Sequence, residues 1–235
     1  VLTETLVVDK AIAIATDGAA DRIITGTPGS GNYYINIKAD AAVNMKGTAA
    51  SRLIIDGENA THDRALVAVQ TAGSVLEYVV LQNNVNSNVD YTGGALYVNK
   101  SGVVLDHCVL QGNRSDGGGA VYATGSANVT LNDCEILNNT STKYGGAFQG
   151  ASGSVTTLVG CLVEGNNASN VGGVAYMAQS TNNPATIVAK DTVFKNNSTA
   201  KTGGVIRATG AFQLEGCTFV GNSGSDGDIS EGNTT

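Results

Sequence analysis

A pair of glycines followed by a small apolar residue returns five times along this chain. It stands at Gly93-Gly94-Ala95, Gly118-Gly119-Ala120, Gly145-Gly146-Ala147, Gly172-Gly173-Val174 and Gly203-Gly204-Val205. The separations are 25, 27, 27 and 31 residues, and a drifted copy, Gly227-Asp228-Ile229, follows after another 24. Self-similarity at such a period marks a repeat architecture, and it restricts the fold more than any other feature.

Further columns keep step with the glycines. One reads Leu76, Leu105, Leu131, Leu158, Ala189 and Leu214. The next reads Val79, Cys108, Cys134, Cys161, Thr192 and Cys217. An apolar column follows at Leu81, Leu110, Ile136, Val163, Phe194 and Phe219, and then asparagines at Asn84, Asn113, Asn139, Asn166, Asn197 and Asn222. Two-helix repeats need longer periods and helical periodicity. Leucine-rich repeats need several leucines per unit, and these units have one. Apolar residues here alternate with polar ones, as in strands.

A coil of three short strands and three turns uses about 25 residues and rises by one strand spacing, about 4.8 Å. The expected fold is therefore all-β: a right-handed, single-stranded parallel β-helix. The leucine and cysteine columns fill its interior, and Asn84 to Asn222 form a ladder of buried amides. Each ladder asparagine follows a Gly or Asn, the residues that tolerate a left-handed backbone turn. The glycine pair predicts a second tight turn, packed too closely for a Cβ. Insertions fall mainly after the glycine strand, and the longest, around 180–184, predicts a protruding loop.

The expected organisation is one continuous domain. Residues 1–32 are an N-terminal cap with the first irregular strands, 33–92 are early irregular coils, and 93–235 are the regular array. The chain begins at Val1 without a basic leader. It reads as a piece of something longer, continuing beyond the Gly-, Ser- and Asp-rich end at Ser223 to Thr235.

Composition narrows the function. With 31 Gly, only 2 Pro and no three-residue period, the chain is not collagen-like. At 42% hydrophobic and 14% charged residues it is not disordered. It lacks an apolar run of about 18 residues, so no membrane-spanning helix is expected. A formal charge of −7 argues against a nucleic-acid partner.

From Gly93 to Ile229 the chain resembles the right-handed β-helix repeats of bacterial surface proteins. It is most similar to the chlamydial polymorphic outer-membrane proteins and related adhesin-like proteins. Those pair Gly-Gly-Ala-Ile with Phe-x-x-Asn. Gly203-Gly204-Val205-Ile206 and Phe219-Val220-Gly221-Asn222 match closely, as do Phe194 and Asn197. Leu, Ile or Val replaces Phe in the other copies, so the likeness is to a broad repeat class. It implies a secreted, surface-exposed location. The same pectin-lyase-like shape also carries polysaccharide lyases and hydrolases, so fold alone does not choose a function.

Candidate sites are few. Cys108, Cys134, Cys161 and Cys217 share one column with Val79 and Thr192, which favours stacked thiols. Neighbours about 4.8 Å apart also leave a disulfide open. No C-x-x-C knuckle points to a metal. Tyr97, Tyr122, Gln149, Tyr176 and Arg207 form a column between two inward ones. It is the candidate binding face for a host-surface protein or glycan. Self-stacking of strand tyrosines is the plainer alternative. The outward column Glu77, Asp106, Asn132, Val159, Lys190 and Glu215, with His107, Asp133 and Asp191 beside it, could in principle hold calcium and a base. Asp106 and Lys190 lie three coils apart, about 14 Å, too far for one reaction centre. Asp133 and Asp191 lie two coils apart, about 9.6 Å, at the edge of the range for inverting glycosidases. His62 and His107 read as isolated. The acidic turns at Asp56-Gly57-Glu58-Asn59 and Asp226-Gly227-Asp228 are explained by turn chemistry.

The expected function is thus a non-catalytic extracellular module, an adhesin or stalk-like rod. It would bind a host receptor, a glycan or a neighbouring copy, and need no cofactor or metal. A carbohydrate-active enzyme and a self-assembling filament subunit are the alternatives.

Overall fold

The computed structural model describes residues 1–10, 12–38, 42–90, 93–178 and 183–231. Every named strand pair is parallel, and the described residues contain no helix. The chain winds as a right-handed β-solenoid of about 8 turns, about 27 residues per coil. That is slightly more than the expected 25, because the longer coils raise the mean.

One coil shows the plan. Leu96–Val98 lies in a first sheet, Val103–Asp106 in a second, Val109–Gln111 in a third and Arg114–Gly117 in a fourth. The sheets hold 9, 8, 8 and 6 strands respectively. Residues 1–32 contribute Leu6–Val8, Ala13–Ala15 and Arg22–Ile24, which pair in register with the next coil on the first three sheets. The fourth sheet begins only at Thr61–His62.

Register sets the core. Leu76, Leu105, Leu131, Leu158, Ala189 and Leu214 follow one another in the second sheet, and Leu81, Leu110, Ile136, Val163, Phe194 and Phe219 in the third. All but Leu214 and Phe219, in the last coil, are fully buried. A parallel stack brings like residues directly together, so the core is a set of side-chain columns rather than a mosaic.

The corners are built from left-handed residues. Between the third and fourth sheets φ is positive at Asn83, Gly112, Asn138, Gly165, Asn196 and Gly221, the positions just before the ladder. The turn into the first sheet uses the glycine pair. Its first member is left-handed at every copy, from Gly93 to Gly203. Its second member lies against the next coil: a Cβ on Gly146 would sit 2.1 Å from the carbonyl oxygen of Gly173. Only a residue without a Cβ fits there. The corner between the second and third sheets is also left-handed, at Tyr78, His107, Asp133, Gly160, Asp191 and Gly216. The loop expected around 180–184 lies outside the described residues at 180–182. Pro184 is exposed, and Ala185 is buried just before the strand Thr186–Lys190.

Candidate functional site

The asparagine column is a continuous hydrogen-bonded ladder. Asn113 donates from Nδ2 to Asn139 Oδ1 at 3.0 Å, Asn139 to Asn166 at 3.0 Å, Asn166 to Asn197 at 3.0 Å and Asn197 to Asn222 at 3.0 Å. Each of these acceptors also takes the backbone N–H of the preceding asparagine. The second Nδ2 hydrogen goes backwards, to Leu81, Leu110, Ile136 or Val163 carbonyls. Asn84 differs. Its Nδ2 turns to the carbonyls of Arg64 and Gly94, and its Oδ1 has no partner.

The four cysteines are free thiols. They run along the adjoining corner, donating to carbonyls of the preceding coil: Cys108 to Leu76, Cys134 to Leu105, Cys161 to Leu131 and Cys217 to Ala189. Contacts with Cys108 and Cys161, together with burial, push the Cys134 thiol well above the ordinary range. It stays protonated and unreactive. Cys108, Cys134 and Cys161 are buried and pack as small hydrophobes.

The first sheet aligns Tyr97, Tyr122, Gln149, Tyr176 and Arg207 as direct cross-strand neighbours. All five are half-buried. The rings face one another along the solenoid axis. Tyr97 and Tyr122 centroids are 6.0 Å apart, and Tyr33 reaches Tyr97 at 6.2 Å across the small Ala68. Tyr144, the last residue of the strand Thr140–Tyr144, stacks on Tyr176 at 4.8 Å. Each tyrosine of the row therefore has another ring beside it. Arg207 is engaged by Ser230 Oγ at 2.6 Å and the Glu231 carbonyl at 2.7 Å.

The outward column of the second sheet runs Lys46, Glu77, Asp106, Asn132, Val159, Lys190 and Glu215. Charge is paired along it. Lys46 meets Glu77 at 2.8 Å and Lys190 meets Glu215 at 3.4 Å. Lys190 therefore has a neighbouring carboxylate, and three coils separate it from Asp106.

The two histidines correct the expectation that they stand alone. The left-handed corner lays the His107 ring 4.9 Å from Tyr78, with Nδ1 3.2 Å from Asp106. The ligand atoms of Asp106, His107 and Asp133 all lie within 4.8 Å of one another. Two carboxylates and an imidazole could hold a divalent cation. The His107–Asp106 contact also gathers them without one. His62 is 2.9 Å from the buried Tyr34 hydroxyl, which donates to the Gly26 carbonyl. Tyr78, His107 and Asp133 share the column just before the cysteine column, whereas no repeat spacing links Tyr34 to His62.

A family model for the right handed beta helix region matches residues 42–235. The chain belongs to the right-handed beta helix family. Membership agrees with the parallel sheets, the left-handed corners and the stacked columns. It does not pick out any side-chain cluster as a site. No curated protein and no solved structure matches the chain. No helix among the described residues is long and apolar enough to cross a membrane.

Proposed function

We propose that this right-handed β-helix is a non-catalytic module of an extracellular or cell-surface protein, a rod that presents its walls to a host receptor, a glycan or a neighbouring copy. The observation that carries the reading is the unbroken internal stack. Ladder, thiol and aliphatic columns keep their bonds inside the wall and repeat from coil to coil, as a spacer requires. The test is adhesion. Beads coated with the chain should bind host cells, a glycan surface or one another saturably. Beads that stay inert towards all three would sink the reading.

One observation favours a carbohydrate-active enzyme as a second reading: the convergence of Asp106, His107 and Asp133 at a corner. Acidic polysaccharides incubated with the chain and calcium should then yield unsaturated or reducing products, lost in His107→Ala. Absence of products across pectic, alginate and glycosaminoglycan substrates removes it.

A further inference from the structure

The corner between the second and third sheets gathers Asp106, His107 and Asp133 on its outer side, with ligand atoms of all three within 4.8 Å of one another. Strand alternation alone would not do this. Asp106 ends the strand Val103–Asp106 and is half-buried in the outward column. A further strand residue would turn inward. His107 instead takes a φ of 51° and stays exposed beside Asp106. Asp133 takes a φ of 47° at the same place one coil on, because Asp106 lies beside Asn132 in register. One coil thus supplies two groups and the next supplies the third.

The groups are held in place by the fold itself. The His107 N–H donates to the Asn132 carbonyl at 3.0 Å and the Asp133 N–H to the Val159 carbonyl at 2.9 Å, so each corner is bonded to the coil after it. The Tyr78 ring, one coil before, lies 4.9 Å from the imidazole at an angle of 31°. His107 Nδ1 faces Asp106 Oδ1 at 3.2 Å. Beyond Asp133 the column continues at Gly160, where a Cβ would come within 2.5 Å of Asp133 Oδ1. A glycine there leaves the carboxylate its room. Charge is also left over. Lys46 meets Glu77 and Lys190 meets Glu215 along the outward column, whereas neither Asp106 nor Asp133 meets a Lys or Arg among the described residues.

We propose that Asp106, His107 and Asp133 bind a zinc ion that staples two neighbouring coils at their outer corner. The ligand types choose the metal. Calcium and magnesium are hard cations that take oxygen ligands, calcium about six to eight of them. An imidazole beside two carboxylates suits zinc, which accepts three protein ligands and completes its shell with water. The exposed side of the corner leaves that position to solvent. The role is mechanical. His107 and Asp133 stand 26 residues apart in the chain and meet only when the coils are wound. The ion therefore binds the folded pair of coils in preference to the unfolded chain and stabilises it. Neither adhesion nor catalysis is needed, so the staple stands or falls apart from both readings of function.

The experiment is calorimetry of the whole chain, stripped with EDTA and kept reduced, titrated with zinc chloride and separately with calcium chloride. The expected result is a single zinc ion per chain and much weaker binding of calcium. His107→Asn and Asp133→Asn keep residues that tolerate the left-handed turn. Each should weaken zinc binding about tenfold or more, at least the loss seen when a group behind a metal ligand is removed. Zinc should also raise the melting temperature of the unaltered chain and not that of His107→Asn. Circular dichroism checks that the variants fold. Cobalt in place of zinc should absorb as a nitrogen and oxygen site, and His62→Gln and Cys217→Ser should bind zinc like the unaltered chain. No zinc binding, calcium bound as tightly, or unchanged zinc affinity in His107→Asn each overturn the staple. A thiolate band with cobalt, or zinc binding lost in Cys217→Ser or His62→Gln, would place the ion elsewhere and overturn it too.

Discussion

Asn139 and Asn166 are bound twice across one coil boundary: the Asn139 Nδ2 and backbone N–H both donate to Asn166 Oδ1, at 3.0 and 2.9 Å. Both residues are fully buried. Replacing Asn166 by Ala strands both donors and the Ile136 carbonyl that its own amide satisfies. Each orphaned buried group costs about 1–3 kcal/mol. Asn166→Ala should therefore lose about 3 kcal/mol or more in urea unfolding. Asn84→Ala should lose less, because Asn84 Oδ1 accepts nothing. Equal losses would show that the ladder is not what holds the corner.

The glycine turn gives a sharper contrast. Gly146→Ala puts a methyl 2.1 Å from the Gly173 carbonyl oxygen, a backbone atom of the next coil. The coils must part, and the variant should lose several kcal/mol or not fold. Gly125, unlike Gly146, is left-handed, but the nearest atom to its Cβ would be 3.4 Å away. Gly125→Ala should cost only the left-handed backbone, about 1–2 kcal/mol. Thermal melts of the two variants make the comparison.

Thiol labelling reads the cysteine column. Cys108, Cys134 and Cys161 are buried and Cys217 is half-exposed. With a thiol reagent at pH 8, Cys217 should react first and the other three only on unfolding. Four fast thiols would mean that the coils open readily.

Alkali should find Tyr34. Burial, reinforced by Glu58 and Asp56, pushes its phenol up to about 12 from 10.0. The folded chain then holds the proton more tightly than the unfolded one. The contribution is complete below pH 10 and is lost as pH rises towards 12. Two units correspond to on the order of 2 kcal/mol for this buried ring, 1% exposed. Tyr34→Phe should flatten the stability curve over that interval, measured by urea midpoints. An unchanged slope would place the alkaline loss elsewhere.

What could be read beforehand depended on which positions a coil restricts by residue type. The Gly146 column tolerates no Cβ and the Asn139 column needs an amide, so both repeat visibly. The corner at Tyr78, His107 and Asp133 did not show itself. Its six positions mix Gly160 and Gly216 with His107, Asp133 and Asp191, types enriched at positive φ, but Tyr78 breaks the pattern. The first coil was hidden for another reason. Its strands Leu6–Val8, Ala13–Ala15 and Arg22–Ile24 lack the ladder and the glycine pair and are recognised only by register. The tyrosine row was legible as a column. Self-stacking was its alternative reading, and only Tyr33 and Tyr144, which join from outside it, went unseen.

The ladder and the glycine turn together make the molecule a ruler graduated in whole coils. From each leucine to its ladder asparagine the chain always takes eight steps, as from Leu131 to Asn139, so a single residue cannot be added there without breaking the count. The stretch from Gly172 to Ala189 is longer than that from Gly203 to Leu214, yet both coils stay in register. Change in this family member is thus partitioned: residues come and go in the stretches on either side of the glycine pair, whereas reach changes only by adding or losing an entire turn, about 4.8 Å at a time.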